Sequence, residues 1–224
     1  MRNNEVSVRE QIKMIALDPL RGTIEGSCPF HLLNAATLGE LLLEGSVAIT
    51  AAGLTVESDR TFLAPPAADV LRALSVLDPP VPLGWLVRTL HGTSPVPRDV
   101  LLMRLVLDGM LSVDEAVQLE LVRCPGSYDL LNVWVRELGE GLRSVLYSTQ
   151  VPNEHTCILL ALLDAGRLMH RVLGKAEAGA TRARAISMIA AQSASYGLWH
   201  ALIEVAGLRR ERCLAVPAPA AALR

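Results

Sequence analysis

Residues 38–57 read LGELLLEGSVAITAAGLTVE. A leucine-rich helix runs into Gly45. Val47 and Ile49 then alternate on one side, Leu54 and Val56 answer on the other, and Ala51-Ala52-Gly53 lies between. Glycine is a natural stop here because it accepts the left-handed backbone that closes a last helical turn. Period-two alternation on both sides of a short turn marks a half-buried hairpin. The same grammar returns at residues 102–122, LMRLVLDGMLSVDEAVQLELV. There a helix ends at Gly109, Leu111 and Val113 face Val117, Leu119 and Leu121, and Asp114-Glu115-Ala116 makes the turn. Helix followed by hairpin is also the pattern of a winged-helix regulator. The choice is between two DNA-gripping wings and two hairpins that pack or self-associate.

Charge favours the second. Residues 111–122 contain no lysine or arginine to offer a phosphate, and Asp114, Glu115 and Glu120 repel one. The whole chain of 224 residues carries a net charge of −2, with 21 basic and 23 acidic residues. Nucleic-acid binders usually show a basic excess, so no nucleic-acid partner is expected. Hydrophobic residues make up 51% and aromatics only 4%, so leucine, valine and alanine must fill the core. That composition favours helices. The longest uninterrupted apolar run, residues 157–163, is far shorter than a membrane span, which takes roughly 18 residues. The opening MRNNEVSVREQ has no apolar signal core. Cys28, Cys124, Cys157 and Cys213 are widely spaced, as expected for reduced thiols in a cytoplasmic protein.

Along the chain, Ser7 and Glu10 have capping-box spacing and open a helix reaching residue 17. Residues 20–30 read as an irregular loop and 32–44 as a strongly apolar helix. Helices follow at 67–77, 83–90 and 98–108, then the second hairpin and a turn at 124–129. Residues 130–147 form a long amphipathic helix, and 154–173 form one helix that is apolar nearly all round at its start, as a central bundle helix is. A loop is expected at 174–180, a last helix or helix pair at 181–206, and a frayed tail beyond. The expectation is a mainly α, single-domain helical bundle at 7–208 with two small β-hairpins, between flexible ends at 1–6 and 209–224.

No familiar catalytic motif is present. Cys28 and His31 have metal-ligand spacing but no second pair, so no metal is expected. His155 and Cys157 could meet in space, yet nothing local marks an activated thiol, and Cys157 reads as core. Trp85, Trp134 and Trp199 sit within apolar helices and read as packing residues. The arginines at 167, 171, 182, 184, 209, 210 and 212 read as a solvated face. Catalytic residues are not identified, no cofactor is implied, and the reading leans away from an enzyme.

The order of segments nonetheless resembles a known family. Met14-Ile15-Ala16-Leu17-Asp18 with the turn at Gly22, Leu38-Gly39-Glu40-Leu41-Leu42-Leu43-Glu44-Gly45-Ser46-Val47, and Trp85-Leu86 carry the resemblance. So do Leu105-Val106-Leu107-Asp108-Gly109-Met110-Leu111 and the central Leu159-Leu160-Ala161-Leu162-Leu163. Together they resemble the Golgi phosphoprotein 3 (GPP34) family, which includes many bacterial members. The resemblance covers residues 7–208.

It implies a helical domain whose protruding hairpin mediates self-association. Leu111, Val113, Val117, Leu119 and Leu121 would form that surface in a homo-oligomer. Eukaryotic members bind phosphatidylinositol 4-phosphate at Golgi membranes and act as adaptors for resident glycosyltransferases, using a loop tryptophan and several arginines. Here residues 23–30 hold no tryptophan, Asn34 stands at one arginine position, and Pro95 replaces one of a later arginine pair while Arg98 keeps the other. Arg21 is a neighbouring cation, and His31 lies on the same helix as Asn34. The resemblance thus implies a non-catalytic binding or adaptor protein, cytoplasmic and peripheral to the inner membrane face. Its degenerate anionic-headgroup pocket would be lined by Arg98, Arg21, Asn34 and His31. The alternative is an enzyme or auxiliary protein of bacterial small-molecule metabolism that takes a small apolar or anionic ligand in the same place. A winged-helix-like regulator stands third.

Overall fold

The computed structural model describes residues 6–18, 23–24, 29–57, 67–90, 129–149 and 151–214. Among the described residues the chain is mainly α, with nine helices and two short antiparallel strand pairs. The second hairpin at 111–122, the helix expected at 98–108, Arg21, Arg98 and Cys28 lie outside the described residues.

Helix α1 (Val8–Ala16) opens with the expected capping box. Ser7 Oγ accepts the backbone N–H of Glu10 at 3.2 Å, and Glu10 Oε2 accepts that of Ser7 at 3.4 Å. Strands β1 (Leu17–Asp18) and β2 (Thr23–Ile24) pair in a two-residue ladder, where only the end of a helix and an irregular loop were expected. Helix α2 (Pro29–Leu43) starts on a proline, whose fixed φ suits a first turn. Its other end is a Schellman motif. Gly45 has φ 66°, Ser46 N–H donates to Leu41 O at 2.9 Å and Gly45 N–H to Leu42 O at 2.9 Å.

The chain then turns directly into β3 (Val47–Thr50) and β4 (Gly53–Val56), in the register Val47↔Val56 to Thr50↔Gly53. Gly53 has φ 143°, and a Cβ there would stand 2.5 Å from the Val81 carbonyl oxygen. That close approach lets Leu54 exchange two backbone hydrogen bonds with Val81, at 2.8 and 2.9 Å, which ties the hairpin to the chain entering α4. Helices α3 (Ala67–Ser75) and α4 (Leu83–Thr89) both pack on α2.

From residue 129 onward the described residues form helices joined by short turns. These are α5 (Asp129–Tyr147), α6 (Glu154–Ala165), α7 (Met169–Leu173), α8 (Lys175–Ala190) and α9 (Ser193–Leu214). Asn153 caps α6, its side chain accepting the Thr156 N–H at 2.8 Å. From Cys157 to Ala165 every residue of α6 is buried. It packs against α1, α2, α7, α8 and α9, the central place its apolar run demands.

Three expectations are corrected here. Residues 154–173 are two helices, because Arg167 adopts φ 59° after Gly166 and the chain closes α6 with Leu168 N–H on Leu163 O at 2.8 Å. The loop expected at 174–180 is the start of α8. Gly174 makes the turn with φ 84°, and Lys175, Ala176, Glu177 and Ala178 are good helix formers. The helix read as ending at 206 runs to Leu214.

Asp164 is the polar exception within the core stretch of α6. Its side chain is 4% exposed, and it serves two neighbouring helices. Arg182 of α8 donates from Nε to Oδ1 at 2.7 Å, and Trp199 of α9 donates from Nε1 to Oδ2 at 2.8 Å. Arg182, expected on a solvated face, therefore holds a buried carboxylate, which in turn raises its own pKa. Asp164→Ala leaves the indole N–H without its acceptor, while the half-exposed guanidinium returns to water. The expected loss is about 1–3 kcal/mol of unfolding free energy, read by denaturant titration followed by tryptophan fluorescence. An unchanged midpoint would refute the structural role.

Candidate functional site

Of the four residues singled out from the sequence, His31 and Asn34 lie among the described residues. They stand three apart on α2 and so share one side of the helix. His31 is 5% exposed. Asn34 is half-buried, and its Nδ2 donates to the Val87 carbonyl at 3.1 Å. Val87 belongs to the last turn of α4, whose carbonyls lack intrahelical partners. The amide of Asn34 therefore satisfies an α4 carbonyl and fixes α4 against α2. Its side-chain oxygen and the second amide hydrogen are left for another contact.

The other described chemistry is structural. Cys157 is fully buried, and its thiol donates to the Met188 carbonyl at 3.7 Å. Burial, reinforced by Glu154, pushes its pKa up, the reverse of what an activated thiol needs. Burial also lowers the pKa of His155. Among the described residues, no group of three or more His, Cys, Asp or Glu side chains is placed to hold a metal. No helix there is long and apolar enough to cross a membrane. Trp134 is buried, Trp199 is half-buried, and Trp85 is 42% exposed at the α4 surface.

A second cluster was not read from the sequence. Helix α1 has an apolar side, with Val8, Ile12, Ile15 and Ala16, and a charged side, with Arg9, Glu10 and Lys13. The charged side is turned inward. Arg9 and Lys13 are each 6% exposed, and only Glu10 reaches partial exposure. Glu40, on α2, faces them. Its Oε1 accepts the backbone N–H of Arg9 at 2.8 Å, a carboxylate on the first turn of α1 where the helix dipole favours it. Burial pushes the Glu40 carboxyl up, against the pull of that hydrogen bond. Burial likewise lowers Arg9, opposed by Glu40 and Glu10.

The Lys13 ammonium is pushed down to about 8 from its ordinary 10.5, first by burial and then by the like charge of Arg9. The signal available in the sequence was an Arg and a Lys four apart beside the apolar stripe, which is also what a solvated helix face looks like.

The folded chain thus holds the Lys13 proton less tightly than the unfolded chain. Between pH 8 and 10.5 the unfolded state binds more protons, so this group makes stability rise with pH across that window. The destabilising contribution is fully present below pH 8. Lys13→Met should raise stability at neutral pH by about 1–3 kcal/mol and remove the rise. Urea unfolding of both proteins from pH 7 to 10.5 measures the difference, and parallel profiles would contradict it.

A sequence model of the family described as Golgi phosphoprotein 3 (GPP34) matches residues 9–205, from the first turn of α1 into α9. No curated protein matches the chain.

Proposed function

The chain belongs to the Golgi phosphoprotein 3 (GPP34) family, and on that premise we propose that it is a binding or adaptor protein that takes an anionic headgroup or small anion beside α2 and α4. The observation that carries this reading is the extent of the family match, which runs through both halves of the fold. In this reading Asn34 stands where the family carries an arginine, His31 lies on the same helix, and Arg98 and Arg21 would supply the charge. With Asn34 in place of an arginine, one bidentate contact is replaced by a neutral amide oxygen. Affinity for a phosphate ester is accordingly weaker than in a pocket of several arginines. The same premise makes residues 111–122 a self-association surface and the protein a homo-oligomer, peripheral to an anionic membrane.

Co-sedimentation with anionic and neutral vesicles, each at low and high salt, tests the reading. The expected result is salt-sensitive binding to the anionic set, reduced about fivefold or more by Arg98→Ala. Absence of binding under every condition would move the assignment to a soluble small-molecule protein. For the oligomer, Leu119→Asp should shift the sedimentation coefficient toward that of a monomer, and an unchanged coefficient would exclude the hairpin as the contact.

A further inference from the structure

Arg9 and Lys13 are one turn apart on α1, with Cβ atoms about 5–6 Å from each other. Each is 6% exposed. Arg9 Nε is fully buried and has no hydrogen-bond partner among the described residues. Among those residues no ion pair joins either cation to a carboxylate. The two nearby carboxylates are engaged with backbone: Glu40 with the N–H of Arg9, and Glu10 with the N–H of Ser7. A buried guanidinium nitrogen without an acceptor is less favourable than an apolar group in its place. Helix α1 packs against α2, α5 and α6, so methionine or leucine at both positions would suit the interior better. Arg9 Nε needs an acceptor that the described side chains do not provide, and Lys13 stands one turn away with a second positive charge.

We propose that Arg9 and Lys13 form a binding site for a small oxyanion, with phosphate as the representative ligand. The planar fork of Arg9 can meet two oxygens of one anion, and the ammonium of Lys13 adds a point charge from the next turn. The depth of the pair favours a compact free anion over a headgroup tethered to a bilayer. Glu40 and Glu10 offset part of the positive charge, which suits a mono- or dianion rather than a polyphosphate. The site is separate from the pocket beside α4. Glu40 lies six residues along α2 from Asn34, roughly 9 Å of helix rise.

The test is thermal unfolding of the full chain at neutral pH and constant ionic strength, with inorganic phosphate replacing chloride. Phosphate should raise the wild-type midpoint by about 3 °C or more when well above its Kd. Lys13→Met and Arg9→Met, both expected to fold, should lose most of that rise, while Arg98→Ala should keep it. A parallel arm measures sedimentation with anionic vesicles, which Lys13→Met should leave as in the wild type. No response in the wild type, or an equal response in all variants, would overturn the site. Loss of vesicle binding in Lys13→Met without a phosphate response would assign the cations to a lipid headgroup and overturn it equally.

Discussion

Helix α6 offers no side to water between Cys157 and Ala165, and the arrangement of the other helices follows from that constraint. An element apolar all round must be enclosed, so α1, α2, α7, α8 and α9 gather on it. Asp164 is the exception within that stretch, and its two oxygens are used at once. Arg182 and Trp199 reach it from α8 and α9, so one carboxylate fixes how two helices lie on the central one. Because the interaction is directional, it sets an alignment that leucine packing alone would leave loose.

Enclosing α6 also determines what happens to α1. That helix is short and amphipathic, yet it is buried on nearly every side. On its charged side only Glu10 keeps partial contact with water, while Arg9 and Lys13 are carried inward. The cost shows in the lowered pKa of Lys13 and in the raised carboxyl of Glu40 opposite. A stable fold tolerates such a cluster when the rest of the core is extensive. Here the core runs from Val8 to Val205. The anion site proposed beside α2 and α4 and the buried cation pair at the α1–α2 contact are separate matters, the first resting on family membership and the second on the burial of α1.

Much of the fold was legible where its causes are local. The helix, Gly45 and hairpin of residues 38–57 were readable because a left-handed glycine and period-two alternation act within a few residues. The capping box at Ser7 and Glu10 was readable for the same reason. The break after Ala165 was not, because an arginine, Arg167, takes the left-handed position that glycine usually marks. The two-residue β1–β2 ladder was too short to leave a pattern. At the candidate site, Asn34 and His31 were found through the resemblance to the family. The tie of Asn34 to Val87 depends on α4 docking 53 residues later, which no local rule shows. Arg9 and Lys13 were missed because sequence carries no sign of whether a helix's charged side faces water or protein.

The inward-facing charge of α1 depends most directly on Lys13 being a buried cation. The chain has two lysines, Lys13 and Lys175, so their ammonium or adjacent methylene resonances are readily assigned by substitution. Following them by NMR from pH 6 to 11 in a phosphate-free buffer gives the ionisation of each. Lys13 should titrate near pH 8, well below its ordinary value of 10.5. A midpoint near 10.5 for Lys13 would mean that its amine is solvated, and the inward-facing charge of α1 would have to be abandoned.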